Sequence, residues 1–289
     1  MNNTLKAALW MVGAIVSFSS MAVAGRAVSA ELDTFDIMTY RSVVGIAVLW
    51  TFLTLSGAWG QVSRRWLGVH AVRNLAHFTG QNLWFYAVTV APLAQVFALE
   101  FTSPVWVVLL SPLVLGERLT RVRLVSVLVG FAGVLMVARP TPDALSPGVM
   151  AAASSAIFFA LSVMFTRRLT RTESVLCIMF WLTLMQAVLG VVAGAWDGHM
   201  AWPSAQAWPW LVLIGCAGLL AHYCLTSALA IAPATVVVPI DFVRLPAIAL
   251  VGMWVYGEAL DAWVLVGALV IFAANYVNIW AESKPRTTD

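Results

Sequence analysis

The chain has 289 residues, of which 62% are hydrophobic and 10% charged, with a mean hydropathy of +0.91. A soluble globular chain carries roughly a quarter of its residues as charges, so this composition excludes one and points to a polytopic membrane protein. The net charge of +3 is small and reflects loop placement, which argues against nucleic acid as a partner, and three cysteines without a CxxC spacing argue against a disulfide framework or a cysteine metal site.

Apolar runs bounded by charge, Pro or Gly predict ten spans, at about 7 to 29, 36 to 56, 69 to 90, 93 to 115, 121 to 139, 147 to 166, 174 to 195, 208 to 232, 234 to 256 and 260 to 281. The first follows Lys6 and contains an Ala22-Val23-Ala24 triplet that imitates a signal-peptide cleavage site. Its apolar length and its internal counterpart, Gly148 to Thr166, predict a retained helix.

The third span carries His70, Asn74, His77 and Gln81 at spacings of four, three and four, one polar stripe that has to face protein or water, with Arg73 at its cytoplasmic end. The stretch that follows, Tyr86 to Gly116 with its continuation GERL, occurs twice. Adding 141 reaches Ser227 to Gly257 and GEAL without a gap, placing Pro92 on Pro233, Glu100 on Asp241, Gly116 on Gly257 and Glu117 on Glu258. Each copy holds a carboxylate roughly 10 Å inside its helix, where charge costs about 2.5 to 3.5 kcal/mol and normally faces a wet cavity or a partner. Five spans separate equivalent points, so the second copy is inverted, the plan of a secondary transporter. The expected organisation is an all-α membrane protein of ten transmembrane helices in two inverted five-helix repeats, 1–140 and 147–289, joined by a proline-rich linker at 141–146.

Asp241 and Arg244, three apart, share a helical face and can pair. They form either a self-neutralising pair or a charged site where Arg244 receives a substrate carboxylate and an acid receives an ammonium. Pro104, Pro239 and Pro246 are hinge candidates beside this layer. Glu100 has Ser103 where Asp241 has Arg244, so it is expected to be unpaired and a candidate proton carrier. Glu117 and Glu258 are expected to mark helix ends. His222 falls on Gln81 by the same shift, and is read either as an interhelical hydrogen-bonding group or as a proton relay. Of fourteen tryptophans most lie at span ends, as an interfacial belt. Trp84, Trp106 and Trp181 lie deeper and, with Tyr86 and Tyr223, either pack or wall a pocket for a flat or apolar substrate. Gly190 with Gly194, and Ser126 with Gly130, suit close helix contact.

Lys and Arg fall twelve to three on the side of the N-terminus, counting Arg73 there and Arg41 opposite, which predicts cytoplasmic termini. There is no HExxH, no protease-like aspartate pair and no Ser with a base partner, so an enzyme is not expected.

Two five-helix halves, each with a Pro between its third and fourth helices and a GERL or GEAL ending the fourth, resemble the drug/metabolite transporter superfamily, EamA type. The resemblance implies a bacterial inner-membrane carrier with a central cavity reached by alternating access, commonly a metabolite exporter. The deep aromatics and midplane charge are similar to its amino acid exporter branch, including aromatic amino acid exporters. Amino acid export is therefore expected, with nucleotide-like or sulfonium metabolites, cationic drugs, or a membrane-embedded enzyme as alternatives. The expected partners are a small-molecule substrate, the bilayer and, for active transport, protons. No cofactor or metal is expected, and no oligomeric state is fixed, a monomer being compatible.

Overall fold

Within a bilayer every backbone polar group has to be satisfied by the chain itself, which leaves helices as the form for apolar runs of this length. A computed structural model describes residues 3–115, 121–138, 146–197, 200–232, 237, 240–241, 244–259 and 261–283. Among them every extended element is helical: α1 (Asn3–Val28), α2 (Thr34–Ser56), α3 (Leu67–Val90), α4 (Leu93–Glu100), α5 (Ser103–Leu115), α6 (Arg121–Ala138), α7 (Pro147–Leu169), α8 (Val175–Asp197), α9 (Trp208–Ile231), α10 (Arg244–Tyr256) and α11 (Ala262–Ser283), plus a single 3-10 turn at Ala58–Gln61. Five of these, α1, α2, α7, α8 and α9, contain apolar stretches long enough by themselves to cross a membrane.

The repeat governs the whole chain. α2 and α8, α3 and α9, and α5 and α10 each begin and end 141 residues apart; α1 and α7 end so, and α6 and α11 begin so. Packing respects the exchange of halves. α1 lies along α9 while α3 lies along α7, the same pairing with the halves swapped, and α2 with α8 and α6 with α11 each meet their own counterpart, while α4 packs on α10. The molecule is an all-α membrane protein of ten spans.

Boundaries follow local chemistry. Asp33 caps α2 by accepting from the Asp36 N–H at 2.8 Å, and Gly57 ends it at φ +67°, a left-handed conformation that favours glycine. Ser146 caps α7 with Pro147 at its first turn, so the end of the expected linker is already a helix cap; residues 139–145 lie outside the described residues. Gly190 lets α8 approach α2, since a Cβ there would meet Thr39 Oγ1 at 2.5 Å, whereas a Cβ at Gly194 would meet nothing within 4 Å.

Two features differ from expectation. The fourth span is not continuous, because the chain breaks at Phe101 and Thr102 between α4 and α5. Arg41 and Arg73, counted as flanking charges, are buried in the helix packing, since α2 and α3 begin several residues before them.

Candidate functional site: a central cavity

The breaks bring the two carboxylates together. Glu100 closes α4, Arg244 opens α10, and Asp241 lies just before it. Nη2 of Arg244 donates to Glu100 Oε1 at 2.8 Å and to Asp241 Oδ2 at 2.7 Å. Glu100 and Asp241 are equivalent by the 141 shift, so one nitrogen sits almost equally between symmetry-related acids. This corrects the expectation that Glu100 is unpaired. Its partner comes from the inverted half, which spacing within one helix does not reveal.

Arg244 is 3% exposed, and its guanidinium lies over the rings of Phe18, Phe97 and Phe101 at 4.9, 5.0 and 5.2 Å, so aromatic faces replace the water it has lost. Trp84 donates its indole N–H to Glu100 Oε2 at 2.7 Å. Both Glu100 oxygens thus accept hydrogen bonds. Among the described residues, Asp241 Oδ1 is buried without a donor.

A cavity with about 1060 Å³ of atom-free space, its mouth included, extends from this layer toward the face on which α1 begins. Its walls are apolar and aromatic, with Phe18, Phe101 and Phe159 prominent. Beyond the charged layer the polar side chains it meets are Arg73, His77, Gln81, Ser103, Ser162, Thr166, His222 and Thr226. His77 and His222 stand edge to face, 4.7 Å between centroids, each with a buried Nε2 lacking a partner, so neither nitrogen bridges helices. Among the described residues no group of three or more His, Cys, Asp or Glu could hold a metal.

Toward the opposite face the described residues form a clasp around Arg26. Arg26, in the last turn of α1, pairs with Glu258 and donates to the carbonyls of Val88 and Ala91, each at 2.6 Å. Glu258 also accepts the Leu93 N–H at 2.9 Å, and Arg26 stacks over Tyr256 at 4.7 Å. Glu258 is therefore more than the helix-end marker expected of it: Gly257, at φ +65°, turns the chain so that the Glu258 carboxylate reaches the other half. Glu117 lies outside the described residues.

Of the residues expected at the site, Glu100, Asp241, Arg244, His77, Gln81, Trp84, His222 and Pro104 line the cavity. Tyr86 (40% exposed) and Tyr223 (36%) lie on the outer surface, Tyr223 against Trp10. Trp181 donates to the Ser63 carbonyl at 2.7 Å, and Trp106 is half-buried outside the lining. These four are corrected: none of them lines the cavity. Pro104 and Pro246 sit in the first turns of α5 and α10, where a missing N–H costs little; Pro239 lies outside the described residues. The sequence reading missed Phe18, Phe159, Ser162 and Thr166. The last two fall four apart on α7, a short polar stripe that could have been noticed.

The profile of the EamA-like transporter family matches residues 5–139 and again 146–280. A riboflavin transporter of Brucella anthropi is 32% identical over 76% of this chain and 79% of its own. An S-adenosylmethionine uptake transporter of Rickettsia felis is 26% identical over 98% and 97%, and a pseudopaline exporter of Pseudomonas aeruginosa 28% identical over 92% and 93%. A solved crystal structure shares the fold at a TM-score of 0.66, with 22% identity, over 95% of this chain and 96% of that one.

Proposed function

Because this chain belongs to the EamA-like transporter family, we propose that it moves a small amphipathic metabolite bearing a positive charge, an amino acid or a compound derived from one, by alternating access around the Glu100–Arg244–Asp241 layer. As a member of a transporter family whose relatives are named as transporters, it is not an enzyme. The observation that carries the reading is the pairing of two carboxylates with one guanidinium at the closed end of an aromatic-walled cavity. That layer offers an excess of negative charge to an incoming cation, and the surrounding rings offer it flat apolar surface. The named cargoes of the relatives support a cavity for organic metabolites, S-adenosylmethionine being both cationic and derived from an amino acid.

In the orientation given by the Lys and Arg asymmetry, with both termini cytoplasmic in a bacterial inner membrane, the cavity opens inward and the Arg26–Glu258 contact shuts the outer face. An inward-open cavity is the state that loads cargo for export. Rocking of the halves would bend at the break before Ser103 and at the start of α10, with Pro104, Pro239 and Pro246 as hinges. Proton coupling would run through Glu100, whose two oxygens accept from Arg244 and Trp84.

The test is flux of labelled phenylalanine, S-adenosylmethionine and riboflavin in proteoliposomes, with and without a pH gradient. Wild type is compared with a Glu100→Gln, Asp241→Asn double variant. Saturable flux of a cationic or zwitterionic compound, lost in the double variant, is the expected result. Flux of riboflavin alone, unchanged in the double variant, would overturn the reading.

A further inference from the structure

Arg73 is the second buried guanidinium of the cavity, and it is held differently from Arg244. It is 2% exposed, its Nε donates to Thr166 Oγ1 and its Nη1 to Asn74 Oδ1, both at 3.1 Å. Both acceptors are neutral. Among the described residues no carboxylate pairs with it, the ion pairs there involving Arg26 and Arg244 instead. A lone buried cation costs several kcal/mol unless a counter-charge arrives, and Arg73 lines the cavity through which cargo would pass.

The cavity is therefore polarised. Its closed end has two carboxylates to one guanidinium, with Asp241 Oδ1 still lacking a donor; Arg73 lies nearer the open end. Trp84, bonded to Glu100, is eleven residues beyond Arg73 on the same helix. That separates their backbones by roughly 16 Å along the helix, so the charged groups at the two ends of the cavity stand well apart. Phe18, His77, Gln81 and Phe159 fill the walls between them.

We infer that Arg73 receives the anionic group of the cargo, and that the cavity selects an elongated dipolar metabolite with its cation at Glu100 and Asp241 and its anion at Arg73. This rests on the transport reading above and narrows it. An α-amino acid, with both charges on one carbon, touches only one end at a time.

A ruler of charge separation tests it. The purified full chain in detergent is titrated with γ-aminobutyrate, ε-aminocaproate, ω-aminocaprylate and ω-aminoundecanoate, with phenylalanine, and with alkylamines of matching length; apparent affinity is read from thermal stabilisation. Wild type should prefer the longer dipolar ligands over phenylalanine, and over the matching alkylamine by roughly ten- to a hundredfold, the worth of a charge-assisted hydrogen bond. Arg73→Gln should lose the preference over the alkylamine while still binding the cation; Arg73→Lys should keep most of it, which separates charge from folding. An unchanged length profile in Arg73→Gln would overturn the inference, as would equal binding of phenylalanine and the long ligands, and either leaves the transport reading standing. Stabilisation by chloride alone to the same extent would make Arg73 a mere anion seat and also overturn it. If no cation of any length binds wild type, the transport reading itself fails and takes the inference with it.

Discussion

Arg26 and Arg167 stand 141 residues apart and make the same bond in opposite halves: Arg26 donates to the Val88 carbonyl at 2.6 Å, Arg167 to that of Leu229 at 2.9 Å, and the two acceptors are also 141 apart. In an inverted repeat these bonds lie at opposite faces. At the Arg26 face Glu258 completes a clasp that ties α1 to the start of α4.

Glu258→Gln should loosen that clasp. A thiol introduced as Leu93→Cys, at a position now fully buried, in a Cys216→Ser background, should react with a water-soluble maleimide several-fold faster when Glu258→Gln is added. An unchanged rate would show that other contacts hold this face shut.

Removing Arg244 should destabilise more than removing a surface charge. Arg244→Ala leaves two partly buried carboxylates without their cation, a loss somewhat below the about 3 to 5 kcal/mol of a fully buried pair, visible as a lowered thermal midpoint. A neutral triple variant, Glu100→Gln, Asp241→Asn and Arg244→Met, should recover much of the stability but no cargo flux. Recovery of flux would mean that the layer is structural.

Trp84→Phe keeps a ring in the wall but removes the donor to Glu100 Oε2. The buried acceptor left behind should cost about 1.5 to 3 kcal/mol, read from thermal or denaturant unfolding in detergent. A neutral outcome would show that another donor replaces the indole.

Glycine contacts predict opposite effects at two sites. Gly133→Ala would place a Cβ 2.8 Å from the Gly267 carbonyl oxygen and from Ile271 Cγ1, forcing α6 and α11 apart at a cost of about 1 to 3 kcal/mol. Gly194→Ala meets nothing within 4 Å and should be neutral or stabilising by up to about 1 kcal/mol, the helix propensity of alanine over glycine. Thermal midpoints of the two variants compare them directly.

Span positions were legible because charge, Pro and Gly interrupt apolar runs at nearly every boundary, and the gapless repeat made the inversion legible too. The polar stripe on α3 announced His77 and Gln81, since polar groups in a bilayer have to face protein or water. Aromatics carried no such signal. Lipid and helix packing are both apolar, so nothing in the pattern tells toward which face Tyr86, Trp106, Trp181 or Tyr223 turns. The Glu100–Arg244 contact spans 144 positions, and periodicity within one helix is blind to it. The apolar run suggests a start at 69 and leaves Arg73 near the helix end, but α3 begins at Leu67 and carries Arg73 inside the packing.

The near-equal reach of Arg244 Nη2 to two symmetry-related acids bears on the work each transport cycle requires. A point lying on the local two-fold relation between the halves is the point that moves least when the halves trade conformations. On the alternating-access reading proposed above, a charge cluster seated there would remain bonded while one doorway shuts and the other opens. Its desolvation is then met once, at folding, and not again at every turnover, so the carrier can keep charge at the middle of the membrane without a barrier that scales with each crossing.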